Sequence, residues 1–227
     1  MLTYCPVKTF SVSLKLIPTR SWSPEALIKV DLLSLPSLHG QLDVNLEITP
    51  SLKGSFKTAH SGSITFNDGA FPPSLSGKVC VKQLYYSGAG GQVIRYRSAE
   101  EQSYIYSEVG CFDWARILLD LTYGFIKDCE EEKGTFPGTI PKLRFVDAAI
   151  AECGVDKFFL IEEWIDTSEA PFMKYINNAC AVSCVPQNAP EEMQNIANFL
   201  CFAQHVQYKV TGGTLFTSDY QGMFQMK

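Results

Sequence analysis

The amino-acid sequence predicts an α+β fold in which an antiparallel sheet carries a packed helix. Three observations lead there. Runs such as QLDVNLEI (residues 41–48) and KVCVKQLYY (residues 78–86) alternate apolar and polar side chains, as half-buried strands do. Between residues 99 and 129, Ile105, Val109, Phe112, Ile117, Leu118, Leu121 and Phe125 recur at threes and fours, which is helical periodicity. LRFVDAAIAE and KFFLIEEWI then read as antiparallel strands across the turn ECGVD.

The bulk properties narrow the function. A chain of 227 residues suits one large domain or two small lobes, and 46% hydrophobic with 19% charged residues allows a substantial core. A net charge of -5 offers no basic footprint, so nucleic acid is not an expected partner. No apolar run approaches the roughly 18 residues of a membrane helix, so no membrane association is expected either. The start, MLTYCPVKTF, lacks an apolar core followed by a small-residue cleavage site, so no signal peptide is expected. The eight cysteines are scattered singly, several in apolar stretches, which favours reduced thiols and an intracellular, cytoplasmic location. Cys180 and Cys184 have an x3 spacing, but with no second Cys/His pair recognised nearby they read as ordinary thiols.

Taken in order, residues 1–40 are a turn-rich lead-in that fits short strands or an ill-fitting segment. After the strand at 41–48, GSFKTAH places Gly54 and Lys57 at a turn before a short strand over residues 63–66. Backbone N–H groups at such a glycine turn can cover phosphates, although most such turns are only turns. In the strand over 78–86, Lys82 shares a side with Cys80 and Leu84, read as the inward side. There it needs an anionic partner, or it packs its stem inside and sends its head to water. Glu108 falls within the apolar stripe of the helix, either as that partner or solvated at the stripe's edge. GAGG (residues 88–91) is a flexible break, and DCEEEKG (residues 128–134) closes the helix as a solvated turn.

Glu162 and Glu163 end the second strand of the next pair, and a loop leads to FMKYINN. A helix follows, capped by Asn188 with Pro190 in its first turn and Glu191 and Glu192 at its positive end. Its buried face is Met193, Ile196, Phe199, Leu200 and Ala203, and His205 stands at its end. Residues 206–210 and 214–218, joined by Gly212 and Gly213, read as a β-hairpin. Asp219 and Gln221, two apart in an extended segment, can present a carboxylate and an amide oxygen to one hard cation such as Mg²⁺, with Gly222 leaving room beside them. On spacing alone, a surface hairpin ending in polar residues is the favoured reading.

These motifs, in this order, resemble the alpha-type (atypical) protein kinases. The glycine loop GSFKTAH, V-x-V-K at Lys82, a helix Glu, a hinge with F-x-K-Y, a His after a helix, and D-x-Q-G span residues 50–222. The glycine loop is similar to that of fungal alpha-kinases, although Lys57 stands where the family usually has Arg, which loses a planar fork for phosphate. Ile176 replaces the usual first Asn of the hinge motif. The signatures H-R-D and D-F-G of conventional kinases are absent.

The resemblance implies a two-lobed kinase-like fold, with residues 41–160 as the N-lobe and residues 161–227 as the hinge and an incomplete C-lobe. It implies ATP-dependent phosphoryl transfer to a Ser or Thr of a protein substrate. Gly54, Lys57, Lys82, Glu108, Glu162, Glu163 and Lys174 would serve ATP, with Phe172, Tyr175 and Asn178 on family positions. Asp219 and Gln221 would ligate Mg²⁺, and Asp219 with Lys82 would be catalytic. In the family the His joins a structural zinc through ligands further downstream. Only five residues follow Gly222, so His205 is a vestigial zinc position, zinc is doubtful, and the chain is expected to be C-terminally shortened. The alternative is a catalytically impaired nucleotide-binding pseudokinase or interaction module. A metal-dependent hydrolase built on Asp219 lacks the His or carboxylate cluster it needs.

Overall fold

The computed structural model describes residues 7–18, 20–21, 23, 31–46, 53–67, 72–135, 139–168 and 171–223. The chain divides into two compact units: the first comprises Met1–Pro18, Lys29–Phe112 and Val146–Trp164, the second Thr19–Ile28, Asp113–Phe145 and Ile165–Lys227. Helix α1 (Ser98–Lys133) belongs to the first through Phe112 and to the second from Asp113.

The first unit is built on β1 (Lys8–Leu16), β2 (Ser37–Val44), β3 (Lys57–Phe66), β4 (Gly77–Leu84), β7 (Ala148–Cys153) and β8 (Lys157–Glu163). Their order β1-β2-β3-β4-β8-β7 closes on itself through β1 and β7 into an antiparallel barrel. Closure removes the unpaired edges that an open sheet leaves. Residues 8–16, expected as an uncertain lead-in, are thus a strand of the barrel. Val12, Leu14, Leu42, Val44, Ile64, Val79, Val81, Phe159 and Ile161 fill its interior. Gly62, paired with the inward-facing Val44 and Val79, leaves no room for a side chain, since a Cβ there would come within 2.7 Å of Val81 Cγ2.

The outer face of β7 and β8 is also apolar. Ala148, Ile150, Phe158 and Leu160 pack with Leu84 and with Ile105 and Val109 of α1. Strands buried on both faces read as nearly continuous apolar runs, as AAIAEC and FFLI do. The expected hairpin across residues 152–156 forms, with Gly154 in the left-handed region at φ 66°. Its first strand begins at Ala148 and not at Leu143. A small ribbon of β5 (Tyr86–Ser87) and β6 (Val93–Ile94) lies either side of the GAGG turn. Of the strand expected over residues 41–48, the last two residues lie outside the described ones, as do parts of the lead-in and of the loop after Gly134.

The second unit packs α1 against α2 (Glu191–Val210). Leu119, Tyr175, Ile196, Ala197, Phe199, Leu200 and Tyr220 form its main core, and Leu118, Leu121 and Val206 a smaller one. The charged run 128–133 is the end of α1 and not a turn; Gly134, at φ 87°, terminates it with its N–H on the Glu130 carbonyl at 2.9 Å. Helix α2 begins at Glu191 after Pro190, with no side-chain cap, so Asn188 does not cap it. The Gln194 side chain instead donates back to the carbonyls of Gln187 (2.7 Å) and Ala189 (2.8 Å). Removing the Phe159 ring from the barrel interior by Phe159→Ala is expected to cost about 3–5 kcal/mol of stability. Urea unfolding followed by circular dichroism measures the loss.

Candidate active site

The hairpin expected over residues 206–218 does not form. Helix α2 continues through Val210, Thr211 caps it with its N–H on the Gln207 carbonyl, and Gly212 and Gly213 (φ 64° and 81°) release the chain. The sequence pattern Val206, Tyr208, Val210 mimics a strand, but the buried residues are Ala203, Gln204, Val206 and Gln207. Those spacings belong to a helix face, and two of its members are polar. Gln207 is fully buried: its Nε2 donates to Leu118 O (3.2 Å), Thr122 Oγ1 (3.3 Å) and Tyr220 Oη (3.4 Å), while its Oε1 accepts from Thr217 N (2.8 Å). Gln204 Nε2 donates to Thr217 O at 2.9 Å. Two helix glutamines therefore hold the segment that leads into Asp219, and nothing in their spacing singles them out.

At Asp219 the backbone turns to φ 61°, the one positive value at a non-glycine among the described residues. The expected extended run through residue 221 is therefore broken at its first member. Beyond it, β10 (Gln221–Gly222) pairs antiparallel with β9 (Met173–Lys174), with Gln221 opposite Lys174. Tyr220 is buried, and its carbonyl accepts from Tyr175 N (2.9 Å) and Ile176 N (3.2 Å). This pairing brings Lys174 Nζ to 2.6 Å from Asp219 Oδ1, both side chains about half exposed. Lys174, Asp219 and Gln221 thus come together at one half-exposed corner of the second unit.

Two further ion pairs organise the first unit. In β4, Val79 and Val81 point into the barrel, so Lys82 faces the other side, with Leu84, and not the barrel interior. Its Nζ meets Glu162 Oε2 at 2.5 Å, with side-chain exposures of 24% and 11%. The β4–β8 register sets Lys82 opposite Leu160 and Cys80 opposite Glu162, so the pair is a cross-strand diagonal. Of the two settings open to Glu108, it does not take the one beside Lys82: it is part-exposed and pairs with Lys57 at the start of β3. Beside the Lys82–Glu162 pair, burial pushes the Cys80 thiol up, opposed by Lys82 and assisted by Glu162.

The remaining predicted residues have other settings. Gly54 sits in a tight turn, its N–H on the Lys57 carbonyl at 2.9 Å, its own carbonyl accepting from the Tyr85 hydroxyl. Tyr85 is buried and anchors this loop, while Phe56 at its tip is exposed. Glu163 turns away from Lys82 and accepts from Asp147 N at 3.2 Å. His205 is exposed on α2, and among the described residues no three or more His, Cys, Asp or Glu side chains gather as a metal site.

At residues 53–226 the chain matches the family described as the Alpha-kinase family. The chain belongs to the alpha-kinase family. Among curated proteins no sequence matches. Its fold is similar to that of an alpha kinase from Entamoeba histolytica, at a TM-score of 0.54 and 14% identity over 96% of this chain and 74% of that one. It is also similar to the inactive alpha-kinase domain of myosin heavy chain kinase A solved in complex with ATP, at a TM-score of 0.51 and 12% identity over 95% of this chain and 80% of that one. At such identities the likeness shows the alpha-kinase fold. Among the described residues, no helix is long and apolar enough to cross a membrane.

The seven described cysteines are all free thiols; Cys5 lies outside the described residues. Burial pushes the Cys153 thiol up to about 12, so its thiolate is scarce even in mild alkali. A maleimide at about pH 8 is expected to modify the exposed Cys111, Cys180 and Cys184 while leaving Cys153 intact, which peptide mass mapping reads directly.

Proposed function

We propose that this alpha-kinase-family chain transfers the γ-phosphoryl group of ATP to a Ser or Thr hydroxyl of a protein substrate. The observation that carries the reading is Lys82, the V-x-V-K lysine of a family member, held on the outer face of β4 by a mostly buried carboxylate. A lysine so placed is pre-positioned to offset phosphate charge, and phosphoryl transfer depends chiefly on such positioning. Lys57 and the Gly54 turn cover the phosphates in this reading. The γ-phosphorus–oxygen bond to ADP breaks, a bond to the substrate hydroxyl oxygen forms, and Asp219 orients that hydroxyl and accepts its proton.

The donor set at residues 219–221 fits magnesium. Asp219 offers a carboxylate and exposed Gln221 an amide oxygen, and Mg²⁺ commonly takes one or two protein oxygens and completes its shell with water and phosphates. Bound there, the ion would supply charge neutralisation for the phosphoryl oxygens. Lys174 Nζ, 2.6 Å from Asp219 Oδ1, borders this donor set.

The competing reading is a nucleotide-binding module without transfer, and the Lys174–Asp219 pair is what favours it, since that contact neutralises the proposed metal ligand. The two readings part in one experiment. Wild-type protein is expected to gain thermal stability from ATP, more so with magnesium, and to incorporate labelled phosphate. Lys82→Ala is expected to lose incorporation while keeping its circular dichroism spectrum, and wild-type autophosphorylation in that variant overturns the kinase assignment. Asp219→Asn, which suits a left-handed backbone, is expected to lose the magnesium-dependent part of the shift.

A further inference from the structure

The sequence leaves Cys180 and Cys184 as ordinary thiols because no partner is recognised beside them. The structure supplies one. Cys201, on α2, donates its thiol to Ala181 O at 3.4 Å, and the Ser183 backbone hydrogen-bonds the same sulfur. Its sulfur therefore lies against residues 181–183, immediately before Cys184. The Cys184 side is held in place from both directions: its N–H donates to Tyr175 O at 2.7 Å, and Asn177 Nδ2 lies 3.5 Å from its sulfur. Ser183 is bridged to Ile176, so the loop's return is fixed as well.

The accessibility of the two sulfurs differs. Cys184 is exposed, so its sulfur is open to a dissolved oxidant. Cys201 is half-buried, and burial pushes its thiol up, with the neighbouring charge of Cys184 adding to the effect. An exposed attacking thiol next to a sheltered second thiol is the arrangement of an attacking and a resolving cysteine.

We propose that Cys184 and Cys201 form a thiol-oxidation site that closes to an intramolecular disulfide with a small-molecule disulfide such as oxidised glutathione. The Cys184 thiolate attacks one sulfur of the oxidant; the oxidant's S–S bond breaks, a mixed disulfide forms and one glutathione leaves as a thiol. The Cys201 thiolate then attacks the Cys184 sulfur and displaces the second glutathione. Two protein thiols are oxidised, one disulfide is reduced to two thiols, and the protein loses two hydrogens. The bond ties loop 177–184 to α2, and the loop touches the Asp219 corner directly, since Ser218 Oγ donates to Asn177 O at 3.0 Å.

The test treats the folded full chain with oxidised glutathione and reads the cysteine-containing peptides by mass spectrometry without reduction. The expected product joins the peptides of Cys184 and Cys201, persists in Cys180→Ser, and is lost in Cys184→Ser and in Cys201→Ser. In Cys201→Ser, Cys184 is expected to retain bound glutathione, having lost its resolving thiol. Closing a loop of fewer than twenty residues constrains the unfolded chain, so the oxidised wild type is expected to melt several degrees higher than the reduced form. Joining of Cys180 to Cys201 overturns the assignment. So does glutathionylation of exposed Cys111 and Cys180 with Cys184 and Cys201 unlinked.

Discussion

The pairing register between β4 and β8 sets much of the first unit. With Val81 opposite Ile161 and Lys82 opposite Leu160, both strands place one residue set inside the barrel and the next outside. A slip of β4 by one residue against β8 would send Lys82 into the apolar interior, leave Glu162 outside without it, and turn Val79 and Val81 outward. Such an arrangement is prohibitive, because an unpaired ammonium would leave water for a site shaped for branched hydrocarbons. The same register gives α1 its seat, since the outer face that carries Lys82 also carries Leu84 and Leu160 under Ile105 and Val109. Core phase, ion pair and helix docking are thus one choice made once.

In the second unit the corresponding constraint is polar. Gln207 sits where an apolar residue would ordinarily fill a helix–helix contact, and it satisfies groups from α1, from Thr217 and from Tyr220 at once. A buried amide is costly unless its hydrogen-bonding capacity is met, so it admits few arrangements of its neighbours. The irregular segment 214–220 acquires a defined path without strand partners of its own. Its last carbonyl, that of Tyr220, then ties onto Tyr175 and Ile176 and fixes the short β9–β10 ribbon.

What was legible in the sequence follows from this. The barrel hairpin of β7 and β8, the long helix α1 and the β4 strand show themselves through apolar periodicity, because burial alone determines them. β1 was legible in principle, since Phe10, Val12, Leu14 and Leu16 alternate, but serines and a turn-rich setting obscured it. The last turns of α2 were misread because buried glutamines interrupt the apolar stripe while Val206, Tyr208 and Val210 imitate a strand. The partner of Lys82 was beyond reach for another reason. Choosing between Glu108 and Glu162 requires a strand register and a helix rotation, and neither is encoded in the spacing of charges along the chain. The six motifs that mark the family were visible as words. The contacts that connect them, Tyr85 under the Gly54 turn and Gln207 behind Tyr220, carry no motif at all.

The left-handed backbone at Asp219 has a consequence for which residues can occupy that position. A φ near +60° excludes β-branched and bulky side chains and admits chiefly Gly, Asn and Asp. Of these three only Asp carries an anionic oxygen, so the backbone that this position adopts and the magnesium role proposed for it, two unrelated filters, select the same residue.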